Sequence, residues 1–478
     1  MKGKLWRRST VAAIVGTAFA GWGGGASAAG FQLQEQNASG LGNAYSGQAA
    51  AAEDASTVYW NPAGMTRLPG RQVVGALNAI KPSVEFTNSG SSPPTLTGAP
   101  LGIPLGSTGG DAGDWAFVPN AYLSWEAMPN KLWLGVGINT PFGLTTEWDS
   151  DWMGRFHAIK SEVMSININP SVAWKVNEMF SVGAGINAMY FDTELSNSVA
   201  YGASAIGAAA PFGAGAVAAV TAALGPGGPA REGVAKVEGD DWGWGWNLGA
   251  MITLSPATRI GLHYRSKITQ KLEGDVNFDG APVLALGGPL AALGAGINAA
   301  FANGGIRGEI ELPDTATIGL SHNFSDRLQV LADYTWTGWS SVQDLSIYRS
   351  DGTGLQSTPL RFKDSWRVGV GVNYQLNGQW KLRGGLAYDN TPVKDEFRTP
   401  RLPDTDRTWL GIGAQYAMSK QWVFDFGYVY IIAKDGSSNL PNLDPAPPAG
   451  FRASPKGTLV GDYEANVHIL SAQVRYSF

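Results

Sequence analysis

The chain has 478 residues, a formal net charge of −5, 15% charged residues, 64 Gly, 18 Trp, 15 Tyr, 18 Phe and no Cys, at a mean hydropathy of −0.07. The aromatic load and 44% apolar content exclude a disordered chain, and the missing Cys excludes disulfide or thiol chemistry. Charge well below the usual ~25% at near-zero hydropathy argues against a bundle of spanning helices, each needing ~20 apolar residues in a row. It points to a spanning β-barrel, which gives only alternate residues to lipid.

Lys2, Lys4, Arg7 and Arg8 precede a short apolar stretch, Val11 to Ala20, and Ala26-Ser27-Ala28 fits a small-residue cleavage site. Residues 1–28 therefore read as a secretory leader, with the mature chain starting at Ala29. Losing those four positive charges takes the net charge from −5 to −9. An acidic exported chain is a poor partner for nucleic acid. Residues 29–70 do not alternate and precede the first strand, so they form either a periplasmic tail or a plug inside the lumen.

From about residue 71 onward, segments of ten or so residues alternate with period 2, which is a strand signal. Fourteen are expected: 71–87, 116–127, 131–140, 160–176, 179–195, 238–254, 258–278, 307–324, 327–347, 362–376, 379–389, 406–417, 421–433 and 464–478. In one of them Trp366, Val368, Val370, Val372 and Tyr374 share a face, with Arg367, Gly369, Gly371, Asn373 and Gln375 on the other. Trp242, Trp244, Trp246, Leu248 and Ala250 alternate with Gly243, Gly245, Asn247 and Gly249, and Trp422, Phe424, Phe426, Tyr428 and Tyr430 with Asp425 and Gly427. Aromatics at the ends of the apolar faces suit the two membrane interfaces. Tight turns such as Asn377-Gly378 alternate with long loops, and an even strand count closed on itself leaves no unpaired edge in lipid. The expected fold is an all-β membrane protein, a 14-stranded antiparallel transmembrane barrel over 71–478.

Two long loops, 196–237 and 279–306, hold Ala-rich runs interrupted by Gly and Pro. They read as flexible loops, or as short helices exposing an apolar surface that binds something outside the cell. His157, His263, His322 and His468 are scattered without metal spacing, and no P-loop occurs, so neither a metal, a cofactor nor a nucleotide is expected. Asp389, Asp404, Asp406 and Arg407 read as a structural network near strand ends, although a hydrolase would also use such groups.

Residues 29–70 resemble the plug, or hatch, of the FadL family of outer-membrane transporters. The match rests on Ala29-Gly30-Phe31-Gln32-Leu33, Ser39-Gly40-Leu41-Gly42, Ala44-Tyr45-Ser46-Gly47 and Asn61-Pro62-Ala63 at the plug's end. The similarity continues through Phe142-Gly143-Leu144-Thr145-Thr146-Glu147, the Trp242 to Asn247 run, Phe362-Lys363-Asp364 and Leu402-Pro403-Asp404-Thr405-Asp406-Arg407. The resemblance implies a monomeric channel in the outer membrane of a Gram-negative bacterium, and no enzyme. It would take up long-chain fatty acids or, alternatively, uncharged compounds such as aromatic hydrocarbons or alkanes. It further implies a kinked third strand that opens the wall toward membrane lipid, here at Pro141, Phe142 and Gly143. Pro withholds a ladder N–H and Gly tolerates unusual dihedrals, yet the same residues also read as an ordinary strand end. An apolar pocket lined by Phe31 and Leu195 is implied, with Lys363 facing a ligand carboxylate. A second basic position of the family corresponds to Asn197. A cargo bound by its methylenes is held too tightly for release into water, so passive, ligand-gated delivery into another apolar phase is the expected mechanism.

Overall fold

The computed structural model describes residues 29–96, 98–443 and 454–478; the expected leader, residues 1–28, lies outside them. Fourteen antiparallel strands close into one barrel. In chain order they are β1 (Arg71–Asn88), β2 (Ala116–Met128), β3 (Leu132–Asn139 and Gly143–Glu147), β4 (Lys160–Lys175), β5 (Phe180–Val199), β6 (Gly233–Ser255) and β7 (Thr258–Arg265 and Ile268–Asp279). There follow β8 (Gly304–Leu312 and Thr315–Asn323), β9 (Leu328–Thr337 and Asp344–Arg349), β10 (Gly354–Pro359 and Ser365–Gln375), β11 (Trp380–Asp389), β12 (Arg407–Ala417), β13 (Trp422–Ala433 and Gly436–Leu440) and β14 (Leu459–Ser477). Each pairs with its neighbours in sequence, and β14 returns to β1 from Gln72↔Ser477 to Asn88↔Gly461. Closure leaves the wall without a free edge strand, as hydrocarbon requires, apart from a local seam between the upper parts of β2 and β3.

The strands fall where alternation placed them, with differences in extent. Three of the expected continuous segments, 258–278, 307–324 and 327–347, are broken in two; β3, β10 and β13 each carry a separate piece beyond the expected bounds, and β6 and β14 begin about five residues earlier than their alternation. Outward residues such as Val370, Trp244 and Ile412 are exposed, while inward Arg367, Asn373 and Asn247 are buried. Cross-strand ring pairs, including Trp422 with Tyr476 and Trp380 with Tyr416 near one rim and Tyr190 with Trp242 near the other, mark the two interfaces. No described helix is long and apolar enough to cross a membrane.

Residues 29–70 pack against the inward strand faces as one-turn helices α1 (Ala38–Leu41), α2 (Gln48–Ala51) and α3 (Thr57–Trp60) and a 3-10 turn, Pro62–Arg67. Helices this short leave most of their carbonyls unsatisfied. Inward arginines of the wall take several of these and of the carbonyls between the helices: Arg259 donates to Ala50 O (3.3 Å) and Ala51 O (3.2 Å), Arg265 to Tyr59 O (3.1 Å), Arg475 to Glu53 O (2.9 Å) and Arg367 to Ala44 O. The inward glycines serve close approach. A Cβ on Gly261 would lie 1.9 Å from Ala49 O, and one on Gly385 2.2 Å from Asn43 O. Arg383 bridges Glu53 (2.9 Å) and Asp425 (2.7 Å). Burial alone would raise the Glu53 carboxyl, but Arg383 and Lys381 hold it well below the usual carboxylate range.

The Ala-rich loops form helices α4 (Tyr201–Ala209), α5 (Ala214–Ala223) and α6 (Ala291–Ala300). Ile206, Val220, Leu224, Leu284 and Ile297 bury one another between them, while Phe212 and Val283 stay exposed. Of the two sequence readings, short helices are the one observed.

Candidate functional site

An apolar cavity lies where the long-loop ends of β4 to β10 face the start of the lumenal segment. Phe31 contributes its floor, with Leu144 of β3, Val163 of β4, Phe191 and Leu195 of β5 and Leu272 of β7 around it. The space it holds is about 100 Å³, below the ~300–1,000 Å³ of small-molecule sites. Beneath it Phe31, Phe142, Trp339 and Phe362 form an aromatic box, with ring centroids 4.8 Å apart for Phe31 and Trp339, 5.8 Å for Phe31 and Phe142 and 5.8 Å for Trp339 and Phe362. Gly30 makes this contact possible: its φ is +66°, and a Cβ there would come within 2.6 Å of the Trp339 ring.

One charge is buried in the lining. Arg401 sits in the irregular chain between β11 and β12, 7% exposed. Its guanidinium donates to Ser161 Oγ (3.1 Å), Lys160 O (3.2 Å), Ser196 O (3.4 Å) and Asn197 Oδ1 (3.1 Å). Among the described residues no carboxylate pairs with it, and burial lowers its pKa to about 10. Glu309 also lines the cavity but is exposed at the rim.

The expected residues distribute unevenly around this space. Phe31 and Leu195 line it, and Asn197 adjoins it by orienting Arg401. Lys363 is not in the lining: in the irregular stretch between the two pieces of β10 its neighbour Phe362 is buried while the lysine side chain is exposed, within electrostatic reach of Asp406. Arg401 immediately precedes the Leu402-Pro403-Asp404 motif, and only its position beside that motif marked it in the sequence.

Pro141, Phe142 and Gly143 interrupt β3, and the lumenal segment takes up the freed backbone groups. Leu33 N donates to Pro141 O (2.8 Å) and Gly143 N to Phe31 O (2.9 Å), while Phe142 N donates to Ser165 Oγ (2.9 Å). Below the break β3 pairs with both β2 and β4; above it, Gly143–Glu147 pairs with β4 alone, and Ala116–Asn120 of β2 pairs with β1 alone. At the other end of the segment Asn61 Oδ1 caps the 3-10 turn by accepting from Ala63 N (3.1 Å), and its Nδ2 donates to Ala49 O (2.8 Å) and Ala250 O (3.0 Å). Pro62 begins that turn, and Ala63 approaches Gly183 of β5 so closely that a Cβ there would be 2.5 Å from Ala63 N.

The sequence profile of the outer membrane protein transport protein family (OMPP1/FadL/TodX) matches residues 20–478. The chain belongs to this family. Among its OMPP1/FadL/TodX relatives, Outer membrane protein P1 of Haemophilus influenzae is 31% identical over 426 residues, 86% of this chain and 87% of that one. The long-chain fatty acid transport protein of Escherichia coli K12 is 29% identical, over 84% of this chain and 87% of its own. The crystal structure of a Pseudomonas aeruginosa FadL homologue matches with a TM-score of 0.80 at 25% identity, covering 94% of this chain and all of that one. The toluene transporter TbuX of Ralstonia pickettii shares the fold at a TM-score of 0.61 and 20% identity, covering 93% of this chain and 99% of its own. The OMPP1/FadL/TodX proteins are transport channels of the outer membrane and not enzymes.

Proposed function

We propose that this channel carries long-chain fatty acids inward by passive, ligand-gated diffusion. The buried Arg401 guanidinium, oriented by Asn197 and Ser161 and without a carboxylate partner among the described residues, is the observation that carries the reading. A buried charge is costly until it is paired, and a ligand carboxylate supplies the missing pair with charge-assisted hydrogen bonds. The alkyl chain then lies on Phe31, Leu144, Phe191 and Leu195. At about 0.8 kcal/mol per methylene, ~15 methylenes gain on the order of 10 kcal/mol, which forbids fast escape into water. Release therefore needs a second apolar phase. The seam above the break in β3 adjoins Leu144 of the cavity, and its backbone groups are held by residues 31–33. In this reading cargo that displaces Phe31 also frees Pro141 and Gly143, coupling occupancy of the pocket to opening of the wall, while the rest of residues 29–70 remains a fixed plug. The relative named for long-chain fatty acid transport agrees with this cargo.

The test is saturable binding of oleate, oleyl alcohol and toluene to the purified protein. Oleate is expected to bind at least tenfold more tightly than the alcohol. Equal or tighter binding of the alcohol, or toluene binding that oleate does not displace, would move the cargo to uncharged hydrophobes.

A further inference from the structure

The lumenal segment begins in a cluster of buried acids that the cavity does not use. Asp389 Oδ2 accepts from Ala29 N (3.2 Å), and Asp404 Oδ2 accepts from Gly30 N (2.9 Å) and Thr391 Oγ (2.6 Å). Arg407 lies between the two acids, 2.9 Å from Asp404 and 3.9 Å from Asp389. Glu35, also buried, is a third carboxyl within electrostatic reach of Arg407 and Asp389. The neighbouring guanidiniums are committed elsewhere: Arg367 to Asp333 (3.5 Å) and Arg398 to Asp395 (2.7 Å). Two close aspartates therefore share one cation in a site where Ala29, Asp389, Asp404 and Arg407 are all under a tenth exposed.

The sequence supplies a second, independent observation at the same place. The small-residue site Ala26-Ser27-Ala28 puts leader cleavage immediately before Ala29. Hydrolysis of the Ala28–Ala29 peptide bond by a leader peptidase consumes one water, leaves a carboxylate on Ala28 and leaves an amine on Ala29 that takes up the released proton. A peptide N–H with a single hydrogen thereby becomes an ammonium with a full charge and three donors.

We propose that the α-ammonium of Ala29, created by leader removal, is the second cation of the Asp389–Asp404–Arg407 cluster and is what seats the start of the lumenal segment. It acts as a positioning group: two residues on, Phe31 is the cavity floor and its carbonyl holds Gly143 of the interrupted strand. Processing and assembly of the site are thus one event, and a chain still carrying its leader lacks the charge that fixes Phe31. The inference rests on the leader reading and is independent of which cargo the cavity takes.

The experiment refolds the chain beginning at Ala29 with its α-amine free or acetylated, and compares amide hydrogen exchange of residues 30–36 without cargo. Acetylation keeps an N–H but removes the charge, and is expected to speed exchange at least tenfold. Asp389→Asn in the acetylated chain, which removes the surplus carboxylate, is expected to restore the rate to within twofold of the free-amine protein. Exchange unaltered by acetylation overturns the proposal, as does acceleration that Asp389→Asn leaves in place, or a mature chain from the outer membrane that starts at another residue. Should the acetylated chain not fold, reductive methylation of the unmodified protein decides. The Ala29 amine is expected to react at least tenfold more slowly than in the Asp389→Asn/Asp404→Asn variant, and equal rates overturn the proposal.

Discussion

Replacing Arg401 with Gln removes the cavity's buried charge and leaves most of its packing. The guanidinium makes hydrogen bonds to Ser161, Asn197 and two carbonyls but no ion pair with a described residue, and burial lowers its pKa to about 10. Stability should therefore change little, within roughly 1 kcal/mol, because a buried charge's desolvation is relieved as its hydrogen bonds are lost. Binding should change much more. Hydrogen bonds to a charged group contribute about 1.5–3 kcal/mol, so the Kd for oleate should rise about 10- to 150-fold. Oleyl alcohol, which presents no charge, should shift less than threefold. Titration calorimetry or tryptophan fluorescence on the purified protein reads both, with Lys363→Gln as the control that leaves both unchanged because that side chain is exposed and outside the lining. Oleate bound as tightly by Arg401→Gln as by the unaltered protein would refute the carboxylate assignment. An equal loss for acid and alcohol would show that the substitution damaged the pocket instead.

Other substitutions probe the segment that closes the lumen. Asn61→Ala deletes a cap worth ~1 kcal/mol and strips buried Ala49 O and Ala250 O of a donor. A total near 2–3 kcal/mol should speed amide exchange of residues 63–68 about 30- to 150-fold, and unchanged exchange would contradict the cap. Gly30→Ala combines a left-handed φ of +66° with a Cβ 2.6 Å from Trp339, so residues 31–33 should lose exchange protection and oleate affinity should fall at least tenfold; retained affinity would mean that Phe31 is not the floor. Burial raises the Glu35 carboxyl to about 7. A carboxyl raised on folding binds more protons in the folded state, so its contribution to stability is full below pH ~4.5 and is lost as pH rises through about 7. Glu35→Gln should flatten that loss, on the order of 3 kcal/mol, leaving stability similar at pH 4.5 and higher at pH 8. Parallel profiles for the two proteins would refute it.

What the sequence displays and what it conceals follow from the same period. Trp366 to Tyr374 reveals a strand because lipid and lumen select opposite residue types on its two faces, and that selection is strong enough to expose every strand of the wall. The breaks were legible too, in the phase of the alternation. In β7 the inward residues are odd in Arg259, Gly261, His263 and Arg265, then even in Ile268, Gln270 and Leu272. In β3 they are odd through Trp133 and Asn139, then even at Leu144 and Thr146. A slip of one residue turns every later side chain to the other face, so a change of phase inside one apolar run is itself the signature of an interrupted strand. Lys363 lies outside that period: it stands in the irregular stretch between the two pieces of β10, exposed beside a buried Phe362. Arg401 obeys no such period, since it stands in irregular chain. Its partner Asn197 is 204 residues away, and only closure of the barrel brings that pair to one end of the cavity. Where the resemblance led to a cation on β5, the structure has an amide whose oxygen holds a cation from the opposite side of the sequence, so the charge is delivered by the linker before β12 rather than by the strand.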